Sequence, residues 1–257
     1  MHGKAKENCR NRAANVLNDL KMNDRVAIIT GAGRGIGRGI ALELAAHGFA
    51  VMLAARTEAQ LRLLVSEIVT AGGRADMALC DVRDPAQVSR LFQECDNRLG
   101  TPTVLINNAG VGQFISTPLT TDEIWNETIG INLTGAFLCC REAISYFEKA
   151  GGGLIINNAS IAAVRGFPNF AAYTASKAGL VGLSRSLREE LRPRKIRVSV
   201  VVPGATDSPF WDNLEGEWDR ERMISSESVA KLIATIALQP PELQVEELTI
   251  MPSGGAL

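Results

Sequence analysis

From residue 25 onward the chain alternates between short, almost uninterrupted apolar runs and longer stretches with helical periodicity. That alternation restricts the possible folds more than any other feature. RVAIIT (25–30), FAVMLAA (49–55), ADMALC (75–80), TVLINNAG (103–110), GLIINNAS (153–160), IRVSVVVPG (196–204) and ELTIM (247–251) read as strands. A strand that is apolar at nearly every position has no face for solvent, so it must be covered on both sides. Strands that take turns with helices pair in parallel, the helix providing the crossover. The predicted fold class is therefore α/β: one doubly wound parallel sheet of about seven strands with helices on both faces.

Local signals divide the helical stretches. GIGRGIALELAAHG opens a helix that ends at Gly48. Thr57 with Gln60 has the spacing of a capping box ahead of the next helix, and Asp84-Pro85 places a cap before a proline at the first helical position. Two long helical stretches are expected around 122–150, another over 170–192 and a last one near 228–239. Residues 1–22 stand apart as an extension ahead of a catalytic domain at 23–257. The first 21 residues carry five Lys/Arg against two acids, with no apolar core and no serine, which excludes a secretory signal and argues against a transit peptide. A loosely docked extension and an upstream start, with the domain opening after Met22, are both open.

With a net charge of −1 the chain has no overall field to attract nucleic acid or an anionic membrane, and no apolar run approaches the roughly 20 residues needed to span a bilayer. The five cysteines lack C-x-x-C spacing and suit free thiols in a cytoplasmic, reducing setting; no metal site is expected.

TGAGRGIG (30–37) lies at the first strand–helix junction. Gly31, Gly33, Gly35 and Gly37 allow a tight turn whose N–H groups, together with Arg34, Ile36 and the helix start, can approach a pyrophosphate. The alternative is a plain strand-to-helix turn. A dinucleotide fold commonly carries an acid about 20 residues further on, bonded to the ribose. Here the second strand ends Ala54, Ala55, Arg56, without a carboxylate. A guanidinium there suits a 2′-phosphate that an acid would repel, so NADP(H) is expected over NAD(H), with Arg34 as a second cation. A merely solvated Arg56 is the competing account.

Tyr173 and Lys177 stand one helical turn apart in YTASK. Taken alone, the pair can also be two amphipathic side chains with their tips in water. With TGAGRGIG, NNAG (107–110) and Ser160 in the expected order, the chain resembles the short-chain dehydrogenases/reductases over residues 25 to about 251, in the branch that includes 3-oxoacyl-[acyl-carrier-protein] reductases. The resemblance implies a Rossmann fold and a catalytic group of Asn132, Ser160, Tyr173 and Lys177. In it Tyr173 is the general acid/base and Ser160 stabilises the substrate oxygen. Lys177 lowers the tyrosine pKa and binds ribose, and Asn132 holds a proton-relay water. By the same resemblance Asp81 and Val82 contact adenine, Asn108, Ala109 and Gly110 lie along the cofactor, and Pro203, Gly204 and Thr206 meet the nicotinamide.

The implied partner is a small carbonyl or alcohol, with an acyl-carrier-protein 3-oxoacyl thioester as the leading named class. A 3-hydroxy acid dehydrogenase and a non-catalytic NADP-binding regulator are the alternatives. Gln113, Phe114, Phe210 and Trp211 are expected in the substrate pocket together with Ser160 and Tyr173, and Ile161, Ala162 and Phe167 are further candidates. The substrate lid is expected near 205–226, where Phe210, Trp211 and Trp218 either wall the pocket or anchor the loop. A homodimer or homotetramer is expected by resemblance.

Overall fold

The computed structural model describes residues 25–214, 216 and 218–255. The extension at 1–22 lies outside them. Seven strands, β1 (Val26–Thr30), β2 (Ala50–Ala55), β3 (Arg74–Leu79), β4 (Val104–Asn107), β5 (Gly153–Asn158), β6 (Ile196–Pro203) and β9 (Glu247–Ile250), form one sheet. Its order is β3-β2-β1-β4-β5-β6-β9, and every pairing is parallel. A two-residue pair, β7 (Thr206–Asp207) with β8 (Ile224–Ser225), stands apart from it.

Alternate residues of the central strands enter opposite cores. Val26 and Ile28 join Phe92 of α3 (Pro85–Arg98), Phe147 of α5 (Ala136–Lys149) and Leu191 of α6 (Ala171–Leu191). Ala27 and Ile29 instead meet Ile40 and Leu44 of α1 (Gly35–Ala46), Leu64 of α2 (Glu58–Thr70) and Ile233 of α7 (Ser226–Leu238). Full burial of each large apolar side chain contributes about 1.5–3 kcal/mol, so two filled layers explain why the central strands β1 and β2 are apolar almost throughout. The strand order reverses direction between β1 and β4, and a crevice forms at the carboxyl ends of strands at such a switch.

Four local details differ from the sequence expectation. The strand expected over 103–110 stops at Asn107, because the Thr30 hydroxyl accepts hydrogen bonds from the Asn108 and Ala109 N–H groups, both at 3.1 Å, and draws the chain out of the ladder. The strand expected over 153–160 ends at Asn158, and Ser160 caps a short turn at Ile161–Ala163 by accepting from the Ala162 N–H at 3.1 Å. Asp84 caps α3 as expected, but Thr57 sits at the start of α2 without a side-chain cap bond. Finally, the two helical stretches around 122–150 are one run, in which α4 (Asp122–Ile129) passes through a π-helical segment at Gly130–Gly135 into α5. A Cβ on Gly135 would lie 2.5 Å from Val82 Cγ2, so glycine lets this segment press against the β3 end.

Candidate active site

A cleft of about 610 Å³ opens over the carboxyl ends of β1, β2, β4, β5 and β6. The glycine turn forms one end. Gly31 and Gly35 have φ of 64° and 54°, in the left-handed region that favours glycine. Gly33, Arg34, Gly35 and Ile36 line the cleft with Gly31, whereas Gly37 is buried beneath it. A Cβ at Gly37 would fall 2.2 Å from the Gly31 carbonyl oxygen and 2.5 Å from Asn108 Nδ2. Gly37 therefore shapes the turn and does not face the cleft. Asn108 secures the same turn, donating through Nδ2 to the Thr30 and Gly31 carbonyls at 3.2 and 3.1 Å.

Beside the turn, Arg56 and Arg34 both line the cleft and both are exposed. The Asp81 carboxylate accepts from Arg83 Nη2 at 2.6 Å, and this hydrogen bond holds it below the usual carboxylate range. Val82, Asn108, Ala109 and Gly110 line the central stretch, and Pro203, Gly204 and Thr206 the opposite wall. Gln60 and Thr57 also line the cleft, although their expected role was structural. The Gln60 side chain lies so close to Gly33 that a Cβ there would meet Gln60 Oε1 at 2.6 Å.

The donor set fits a phosphorylated dinucleotide. The turn offers backbone N–H groups at the start of a 12-residue helix. Two guanidiniums face the cleft beside it, and the one acid lining that end is engaged by Arg83.

At the other end, Ser160, Tyr173 and Lys177 come together. The Ser160 hydroxyl stands near enough to the Tyr173 phenol to favour its charged form. Lys177 Nζ lies 5.6 Å from the centre of the Tyr173 ring and donates to the Asn158 carbonyl at 2.8 Å. Burial dominates both ionisations. It pushes the Tyr173 phenol up to about 12, with Ser160 working in the opposite direction, and pushes the Lys177 ammonium down to about 8. In the chain alone Lys177 is not among the groups that shift the phenol; the expected lowering concerns the site with the oxidised nicotinamide beside it.

Asn132 sits in the π segment and does not line the cleft. Its Nδ2 donates to the Val111 carbonyl at 2.8 Å and to Ser176 Oγ at 2.9 Å, while its Oδ1 accepts from the Val111 N–H at 2.8 Å. Ser176 in turn donates to the Tyr173 carbonyl at 2.7 Å. The side chain thus ties the loop after β4 to the helical turn bearing Tyr173. Both amide hydrogens are committed within the protein.

Of the expected pocket residues, Phe114, Phe210 and Trp211 line the cleft, as do Ala162 and Phe167. Gln113 is exposed and Ile161 is buried, and neither reaches it. Phe170, Asn158 and Met251 line it without having been expected. Phe170 directly precedes α6 in an apolar stretch, where sequence gives it the pattern of a core residue.

Comparison with known proteins bears on this arrangement. The family model for short chain dehydrogenases matches residues 25–218. A short-chain type dehydrogenase/reductase of Picea abies is 37% identical over 234 residues, covering 84% of this chain and 86% of its own. A 3-oxoacyl-[acyl-carrier-protein] reductase of Synechocystis sp. is 33% identical over 237 residues, covering 90% of this chain and 96% of its own. Among solved structures, a metagenomic short-chain oxidoreductase in complex with NADP superposes with a TM-score of 0.79 at 35% identity, covering 90% of this chain and 97% of that one.

Proposed function

This chain belongs to the short-chain dehydrogenase family and is an oxidoreductase, and we propose that it is an NADP(H)-preferring carbonyl reductase. One observation carries the reading: a single cleft joins a glycine turn flanked by two guanidiniums to a neighbouring serine and tyrosine with a lysine beside the ring. The cofactor's chemistry, when bound, is hydride donation to the carbonyl carbon, two electrons and one hydrogen nucleus, leaving NADP⁺.

Gly31, Gly35 and Ile36 would hold the pyrophosphate on backbone N–H groups, and Arg34 and Arg56 the 2′-phosphate. Asp81 and Val82 would flank the adenine, Asn108, Ala109 and Gly110 the central stretch, and Pro203, Gly204 and Thr206 the nicotinamide. Tyr173 donates its proton to the substrate oxygen, and Ser160 offers that oxygen a hydrogen bond as negative charge builds there. A phenol whose pKa is pushed up to about 12 stays protonated at neutral pH, as an acid must. An alkoxide is a far stronger base than a phenolate, so the proton transfer to the substrate oxygen runs downhill.

Lys177, at about 8, can carry a proton close to neutral pH and would bind the ribose of the cofactor. Asn132 positions the tyrosine through Val111 and Ser176, and with both amide hydrogens committed it would meet a relay water as an acceptor. We read residues 205–226 as the substrate lid. Arg220 bridges Asp207 at 3.1 Å and Asp212 at 2.5 Å across that segment. The expected homo-oligomer draws support from Trp125 and Phe137, both exposed on the helical run at 122–149. No described helix is long and apolar enough to cross a membrane.

A 3-oxoacyl thioester as substrate draws its support from the Synechocystis relative. A 3-hydroxy acid is disfavoured, because among the described residues lining the Tyr173 end the only charged group is Lys177, beside the Tyr173 ring. A non-catalytic regulator would have no use for the assembled serine–tyrosine pair. The test is NADPH oxidation across a panel of uncharged ketones, with NADH in parallel. Turnover with NADPH is expected for at least one ketone, and binding of NADPH without oxidation by any carbonyl compound would leave only the regulator.

A further inference from the structure

Six aromatic side chains close a circuit at the Tyr173 end of the cleft. Tyr173 stacks on Phe170 with centroids 4.3 Å apart, and Phe170 stacks on Phe114 at 4.1 Å. Phe114 then meets Trp218 at 5.0 Å, and Trp218 meets Trp211 at 4.7 Å. Trp211 contacts Phe210 at 5.9 Å, and Phe210 returns to Tyr173 at 5.5 Å. Three of the rings come from the fixed body and three from the segment after β6. The chain has only 8 Phe, 3 Trp and 2 Tyr, so nearly half its aromatic residues are gathered in one place. The two large cores, by contrast, are mostly aliphatic.

The circuit is held by backbone, and its partly exposed rings, Phe114, Phe210, Trp211 and Trp218, line the cleft around the buried, doubly stacked Phe170. Trp211 Nε1 donates to the Thr206 carbonyl at 2.8 Å and Trp218 Nε1 to the Leu214 carbonyl at 3.4 Å, so neither indole N–H is free for a ligand. The Ile115 N–H donates to the Asn169 carbonyl at 2.7 Å, with Asn169 at φ 59°, and this contact fixes the Phe114 loop beside Phe170. Gly112 sits where three rings converge, since a Cβ there would lie 2.8 Å from Tyr173 Cδ2, 2.9 Å from Phe210 Cζ and 3.2 Å from Phe170 Cε2. Among the described lining residues, the charged groups are Arg34, Arg56 and Asp81 near the glycine turn and Lys177 beside Tyr173. The aromatic end therefore offers π-surface, C–H groups and the Ser160 and Tyr173 hydroxyls.

Given the carbonyl-reductase reading, on which this inference rests, we propose that the substrate end selects uncharged carbonyl compounds bearing a flat aromatic or conjugated ring. Such a ring gains offset-stacked or edge contacts with the circuit, which a flexible acyl chain or a puckered saturated ring of equal size does not. Two such contacts correspond to a preference of about tenfold in affinity. The carbonyl group would reach Ser160 and Tyr173, gaining hydride at carbon and the Tyr173 proton at oxygen, as in the reaction above.

The experiment uses the NADPH-loaded full chain and two readouts, tryptophan fluorescence for binding and NADPH oxidation for turnover. The probes are acetylnaphthalene, its saturated counterpart acetyldecalin, and an acetoacetyl thioester. Acetylnaphthalene is expected to bind about tenfold more tightly than acetyldecalin, with the thioester weaker still. Phe114→Ala and Trp218→Ala should reduce that preference to about twofold, and Trp218→Phe should keep most of it. Retained NADPH affinity in each variant shows that it folds. Equal binding of the flat and saturated probes, tighter binding of the thioester, or a preference unchanged in both alanine variants overturns the proposal. Ring binding without oxidation of NADPH by any probe would keep the ring selectivity and remove the reductase reading. Oxidation with equal affinity for flat and saturated ketones would do the reverse.

Discussion

The two ends of the cleft are built from different materials. At the glycine turn, contacts are made by backbone and by side chains that close on backbone: Gly37 against the Gly31 carbonyl, and Asn108 to the Thr30 and Gly31 carbonyls. At the Tyr173 end the contacts are side chain on side chain, six rings in a closed circuit, half of them on the segment after β6. The first end is fixed by the sheet it caps and can only suit one class of ligand. The second can change its selectivity ring by ring without disturbing the fold. The proposed chemistry lies where the two meet, so the substitutions with the greatest consequences should lie at that junction.

Tyr173→Phe tests the junction and should have the largest effect. It removes one hydroxyl and keeps the ring, so the stacking on Phe170 survives. Loss of a general acid typically lowers turnover by about 10²–10⁴-fold. NADPH affinity should stay within about threefold of the parent, since the phenol is proposed to serve the substrate oxygen. Single-turnover rates and an NADPH titration measure the two quantities. Turnover within about tenfold of the parent would mean that the proton comes from elsewhere.

The same contrast explains what could be read from the sequence. Backbone geometry leaves a compositional mark: the strand runs, the glycines at 31, 35 and 37, and the asparagines that accompany them foretold the sheet and the glycine turn. Gly37 was assigned to the ligand when it supports the turn, because sequence marks a glycine without saying which side of it is crowded. Ring-on-ring packing leaves no such mark. Phe170 has the pattern of a core residue, and Gln113 was expected in the pocket but does not line the cleft, since the loop after β4 gives no periodicity to orient its side chains. Asn132 was named from its motif, but its commitment to Val111 and Ser176 depends on contacts 21 and 44 residues distant. The sign of the tyrosine shift was also out of reach, because depth of burial is a tertiary property.

Lys177 should give the next largest effect, this time on stability. In the folded chain burial lowers its pKa from 10.5 to about 8. Between those values the unfolded chain binds more protons, so stability rises with pH across that window. The burden of the buried ammonium is therefore fully present below about pH 8 and is relieved toward 10.5, by an amount on the order of 3 kcal/mol. Tyr173, raised from 10 to about 12, works in the opposite sense at higher pH. Chemical denaturation of the parent and of Lys177→Met, followed from pH 7 to 10 in the absence of nucleotide, should show the parent gaining on the variant as pH rises. Parallel curves would place the ammonium in contact with solvent.

Arg56→Asp acts wholly at the glycine end. Exchanging a charge-assisted bond for a like charge should weaken NADP(H) at least about tenfold while leaving NAD(H) nearly unchanged. Equilibrium dialysis with both nucleotides measures this directly. An equal loss for the two would assign Arg56 to the shared pyrophosphate, and Arg34 alone would then account for any preference. The ring selectivity of the substrate end should be unaffected, since Arg56 takes no part in the aromatic circuit.

Thr57→Ala should have the smallest effect, and it separates fold from ligand at one residue. The spacing Thr57 to Gln60 suggested a capping box, whose loss typically costs about 1 kcal/mol. Thr57 makes no such bond, and both it and Gln60 line the cleft. Asp84, which accepts from the Ala86 and Gln87 N–H groups at 2.8 and 3.3 Å, does the capping work at the neighbouring helix. Thr57→Ala should therefore change the unfolding free energy by no more than a few tenths of a kcal/mol, whereas Asp84→Ala should lose about 1 kcal/mol. NADP(H) affinity of the Thr57 variant should fall about two- to threefold, the scale of one exposed neutral hydrogen bond. A stability loss matching that of Asp84→Ala, with affinity unchanged, would make Thr57 a helix cap after all and narrow the phosphate end of the cleft to its two arginines.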